Sequence, residues 1–149
     1  MFLDILVQIV IIIILLKVVF LRELIATIKL NIEAKNPNNA YFNIPKRGRV
    51  MKSDYRQYKE EWRVEALTVM QGKEPFNGPV AIASTWCFGT LRKKDLQNTG
   101  KLELDAFNGI VYKDDSQIME IHSSKLYQKG KPFVEIQIWS AYDLQKNWG

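Results

Sequence analysis

The chain opens on an almost unbroken apolar run: across residues 5–21 only Gln8 and Lys17 are polar. That length sits at the lower limit of ~17 residues for a bilayer-spanning helix. Two readings stay open. The run is either a membrane anchor, with Lys17 and Arg22 keeping the remainder on the cytoplasmic side, or an extension outside the working domain. A secretory signal fits less well, since Asp4 stands where basic residues are expected and no small-residue cleavage site follows. Residues 1–23 are therefore set apart from a domain expected over 24–149.

Beyond the run the rhythm becomes an alternation. Ile28, Leu30 and Ile32 fall on one side and Lys29, Asn31 and Glu33 on the other, which predicts a half-buried strand. Asn36-Pro37-Asn38-Asn39 breaks it, and the expected loop continues through Pro45-Lys46-Arg47-Gly48-Arg49. Ser53 suits a helix N-cap and Asp54 a first turn; Tyr55, Tyr58, Trp62, Ala66, Val69 and Met70 then recur at helical spacing until Gly72. This stripe reads as core, with Lys59, Glu60, Arg63 and Glu65 on the solvated face.

After Asn77-Gly78-Pro79, the β-branched, aromatic and small residues from Val80 to Phe88 predict an interior strand. A second helix is expected over residues 96–108, stopped by Gly109; on it Asn98, Lys101 and Asp105 would share an arc of ~60°. A short extended piece at 110–112 precedes strands over 117–127 and 133–139, joined through Gln128-Lys129-Gly130-Lys131 as a hairpin, with Val134, Ile136 and Ile138 inward. The sum is an α/β (α+β) domain with a mixed sheet in the order β-α-β-α-β-β.

Composition narrows the chemistry. A chain of 149 residues suits one domain, and 21 basic against 16 acidic side chains give +5, which leans toward nucleic acid or an anionic membrane surface. The single cysteine, Cys87, cannot form an internal disulfide and lies in an apolar run, as a buried inert thiol would. His122 is the only histidine and has no evident nucleophile partner; Walker, dinucleotide-binding and paired-cysteine zinc patterns are missing. One constellation remains: Arg92-Lys93-Lys94-Asp95, Asn98, Lys101, Asp105 and Asp114-Asp115. Acids from separate segments suit a hard cation such as Mg²⁺, while basic neighbours would hold a polyanion against it. Arg47 and Arg49 around Gly48 add a second basic element able to approach a phosphate backbone.

In this order the residues resemble the RusA family of Holliday junction resolvases, small homodimeric endonucleases of phages and prophages. Asp95-Leu96-Gln97-Asn98 stands where the family has Asp-x-Asp-Asn, Lys101 follows the asparagine by three, and Asp105-Ala106-Phe107 and Asp114-Asp115-Ser116-Gln117 complete the set. Pro37-Asn38-Asn39-Ala40-Tyr41 and Arg47-Gly48-Arg49 resemble the family's amino-terminal loop, so the similarity covers about residues 25 to 140.

The resemblance implies a RusA-like fold and a Mg²⁺-dependent homodimer that nicks four-way DNA junctions symmetrically in the cytoplasm of a bacterial host. Asp95, Lys101 and Asp115 would be catalytic, with Asp95, Asp115 and Gln97 at the metal and Lys101 on the scissile phosphate. Arg47, Arg49, Arg92, Lys93, Lys94 and Asn98 would contact DNA, and Asp105 and Asp114 would support the site. Neighbouring side chains in extended backbone point oppositely, which favours Asp115 over Asp114 as the ligand. Gln97 departs from the family pattern: it keeps a carbonyl oxygen but loses a charge, weakening a Mg²⁺ site unless Asp105 lies close enough to compensate. The alternative is a catalytically impaired junction-binding protein, tethered to a membrane through residues 5–21.

Overall fold

A computed structural model of the chain describes residues 1–20, 22–91 and 99–145. The apolar run forms a helix, α1 (Phe2–Phe20), whose side chains are exposed over residues 2–16. Among the described residues no helix is long and apolar enough to cross a membrane.

The domain is built on four strands: β1 (Leu24–Leu30), β4 (Val80–Phe88), β5 (Ile118–Tyr127) and β6 (Phe133–Ser140). A small ribbon of β2 (Tyr41–Ile44) and β3 (Gly48–Met51) and the helices α2 (Ser53–Met70), α3 (Lys101–Ala106) and α4 (Tyr142–Gln145) complete it. The sheet order is β1-β6-β4-β5, with β4 parallel to β5 and antiparallel to β6, which makes it the mixed sheet expected. Strand β4 matches its predicted limits and is interior; most of its residues are buried, as a strand paired on both edges requires.

That position corrects the hairpin expected between the last two strands. β4 lies between β5 and β6, so the polar loop joining them arches over its end, with Gln128 N–H donating to the Phe88 carbonyl (3.0 Å) and Gly130 N–H to that of Gly89 (3.1 Å). A glycine-containing polar loop signals reversal of direction, not which strand becomes the neighbour. β1 also runs earlier than its alternation suggested: its pairing with β6 begins at Leu24 and ends at Leu30 opposite Val134, leaving Asn31, Ile32 and Glu33 outside.

The expected loop around Arg47 is instead the turn of the β2–β3 hairpin, with left-handed backbone at Lys46 (φ 65°) and Gly48 (φ 76°). On α2, Lys52 rather than Ser53 is the N-cap, without a side-chain hydrogen bond. Its stripe of Tyr55, Tyr58, Trp62, Ala66 and Met70 is buried as predicted, and Trp62 packs edge-on against Tyr58 (6.4 Å between centroids) and Phe107 (6.1 Å). Val134, Ile136 and Ile138 close the core from the sheet, and Cys87 is buried.

Helix α3 is much shorter than the expected 96–108. Gly100, at φ 97°, occupies its N-cap, so the helix begins at Lys101; the expected part over residues 96–98, Asn98 included, lies outside the described residues. Of the extended piece expected over residues 110–112, Ile110 and Val111 form a turn, while Tyr112 forms β-bridges to Phe76 and Asn108.

Contacts with the rest of the molecule reach back to Arg22. Its guanidinium meets the Asp143 carboxylate at 2.9 and 3.1 Å and that of Glu120 at 3.2 and 3.3 Å, holding both carboxyls below their ordinary range and joining the chain before β1 to α4 and β5. His122, exposed on β5, pairs with the same Glu120.

Candidate active site

Three buried residues of α3, Leu102, Glu103 and Ala106, fix the helix against the core and turn Lys101 and Asp105 outward. The Tyr58 hydroxyl of α2 donates to Glu103 Oε1, and the Tyr112 hydroxyl donates to the Leu104 carbonyl at 2.6 Å. Burial pushes the Glu103 carboxyl up to about 7, against the opposing pull of the Tyr58 hydrogen bond. Burial is also the main reason why the Tyr58 and Tyr112 hydroxyls hold their protons more strongly than an exposed tyrosine.

The two acids ahead of β5 are separated in role by local backbone. Asp114 N-caps a single 3₁₀ turn, Asp115–Gln117, in a capping box: its carboxylate accepts from Ser116 N–H (3.2 Å) while Gln117 Oε1 accepts from Asp114 N–H (2.9 Å). The Ser116 bonds hold the Asp114 carboxyl below its usual range. Gln117 in turn donates to the Phe76 and Gly78 carbonyls at 2.9 and 2.8 Å, tying the turn to the loop before β4. With Asp114 committed to the cap, Asp115 meets Asp105. Burial raises the Asp105 carboxyl, and the nearby Asp115 raises it further, while Lys59 and Lys101 oppose both effects.

In front of α3 lies a cleft of about 380 Å³. Pro37, Asn38, Tyr41 and Arg49 line it from the hairpin side, and Thr99, Lys101, Leu102 and Asp105 from the helix side. Arg49 and Lys101, distant in sequence, thus share one cleft, whereas Arg47 stands at the exposed hairpin turn. Arg92, Lys93, Lys94, Asp95, Gln97 and Asn98 lie outside the described residues, and Thr99, which follows them, lines the cleft. Tyr41, Tyr58, Lys59 and Glu103 were not singled out as site residues by sequence. Only Tyr58 carried a signal, because a buried tyrosine hydroxyl needs a polar partner.

Among the described residues no cluster of three or more His, Cys, Asp or Glu side chains is arranged to hold a metal. Among the described carboxylates, Asp105 and Asp115 lie together. Mg²⁺ commonly takes one or two protein carboxylates and completes its shell with waters and substrate phosphates, so this pair fits it.

A mixed-sheet domain that sets paired carboxylates beside a lysine- and arginine-lined cleft has the parts of a nuclease acting on a phosphodiester backbone. Comparison with known families is specific: residues 32–139 match the family described as Endodeoxyribonuclease RusA. The chain belongs to this RusA family of Holliday junction endonucleases. It is also 44% identical over 46 residues to the uncharacterized protein YqaN of Bacillus subtilis (strain 168), a match covering 31% of this chain and 32% of that protein.

Proposed function

We propose that the protein is a Mg²⁺-dependent, structure-specific endodeoxyribonuclease that resolves four-way junctions as a homodimer by paired symmetrical nicks. Residues 24–149 are its endonuclease domain and residues 1–23 an extension. The observation that carries this reading is the pairing of Asp105 with Asp115 beside a cleft that Asp105 lines together with Lys101 and Arg49.

In this mechanism Asp95, Asp115 and the Gln97 carbonyl would hold the cation, with Asp105 supplying the negative charge that Gln97 lacks. When bound, Mg²⁺ would activate water and neutralise phosphoryl oxygens. Lys101, exposed on a helix fixed by its buried residues, donates to a non-bridging oxygen of the scissile phosphate and stabilises the charge that grows there. Asp114 positions Asp115 through the capped turn. Arg47, Arg49, Arg92, Lys93, Lys94 and Asn98 hold the flanking strands through phosphates, largely without regard to sequence. Two equivalent sites match the two-fold symmetry of a junction, which is what a homodimer provides.

Titration of the protein with Mg²⁺ by calorimetry tests the metal reading. Asp105→Asn and Asp115→Asn should each weaken binding by about tenfold or more, since each removes a charge from a hard-cation site. Binding unchanged in both variants would rule it out. Gln97 favours one second reading, a protein that binds junctions and cuts them poorly; in that case Gln97→Asp raises the cutting rate.

A further inference from the structure

The endonuclease reading uses the hairpin wall of the cleft only through its arginines, yet the wall also carries an aromatic ring. The β2–β3 register sets Tyr41 opposite Met51 and Asn43 opposite Arg49, so Tyr41 and Arg49 are diagonal neighbours on one face of the ribbon. The Arg49 guanidinium lies 5.1 Å from the Tyr41 ring centroid, while Tyr41 as a residue stays 41% exposed and lines the cleft with Lys101. Tyr55 and Tyr58, by contrast, are buried in the core, so Tyr41 is not held out of solvent by packing.

A ring backed by a cation, sharing a cleft with an ammonium, is complementary to a nucleotide: a planar base for the ring and a phosphate for the lysine. The cleft volume, about 380 Å³, falls within the ~300–1,000 Å³ of small-ligand sites. A base inside an intact duplex has both faces stacked on its neighbours and cannot offer one to Tyr41. A base at a branch point can.

We propose that Tyr41, backed by Arg49, is a stacking platform for an unstacked nucleobase next to the phosphate held by Lys101. The platform gives the site its preference for branched over linear DNA. Stacking tolerates every base, so this preference is one of structure and not of sequence. The inference rests on reading the cleft as the DNA-cleavage site.

The test is fluorescence anisotropy with the full chain in EDTA, using a labelled four-way junction and a linear duplex of the same arms. Tyr41→Leu keeps apolar bulk without a π face, and Tyr41→Phe keeps the face without the hydroxyl. Tyr41→Leu should weaken junction binding roughly tenfold and leave duplex binding within about twofold, while Tyr41→Phe retains both. Three results overturn the platform while leaving the endonuclease reading in place: unchanged junction affinity in Tyr41→Leu, an equal loss on junction and duplex, or a loss in Tyr41→Phe as large as in Tyr41→Leu. If the unmodified chain binds neither DNA, the platform and the endonuclease reading fall together.

Discussion

Glu103 sits between Lys101 and Asp105 in sequence but faces away from the cleft, 1% exposed, with the Tyr58 hydroxyl as its donor. Its carboxyl is raised from 4.5 to about 7, chiefly by burial, so the unfolded chain ionises this group before the folded one does. The stability that the neutral acid allows is complete below 4.5 and is lost as pH rises to about 7, a change of about 3 kcal/mol. Asp54, Asp114, Glu120 and Asp143 have lowered carboxyls and weaken the fold in the opposite direction, only as strong acid protonates them. Glu103→Gln keeps an oxygen for Tyr58 and should flatten the fall in Tm between about pH 5 and pH 8. Thermal melts with the same fall in both proteins would refute this. The sequence could not reveal Glu103, because Lys-Leu-Glu-Leu-Asp reads as ordinary polar alternation and its partner lies 45 residues away. Asp105 and Asp115 were legible as acids; that they meet was not.

At the scale of elements, the β2–β3 hairpin was the main surprise. Its strands have four residues each, too short for alternation to declare itself, and Pro45 with three basic residues gave a loop signature. β4 was legible throughout because nearly every position has the side chain of an interior strand. The helix expected over residues 96–108 passes through Gly100, whose left-handed backbone instead makes it the boundary of α3. If the hairpin arginines neutralise phosphates, replacing Arg47 and Arg49 by alanine should lower the slope of log affinity against log salt by about 1.8, near 0.9 per contact. Junction binding measured across a KCl series checks this; an unchanged slope would make the turn a solvated one.

For the whole molecule, the order β-α-β-α-β-β was readable because each long element carries its own period, while the sheet order β1-β6-β4-β5 depends on pairing that no local pattern encodes. The same limit applies to the cleft, which joins a hairpin near the start of the domain to a helix some 50 residues later. The family shown is one of Holliday junction endonucleases, and the proposed function requires cutting. The decisive measurement is nicking of an end-labelled four-way junction by the full chain with Mg²⁺, beside Asp115→Asn and Gln97→Asp. Symmetrical cuts in opposing strands are expected, lost in Asp115→Asn and at least as fast in Gln97→Asp. Cuts that persist in Asp115→Asn, or a junction that is bound but never cut even by Gln97→Asp, would contradict the proposed function.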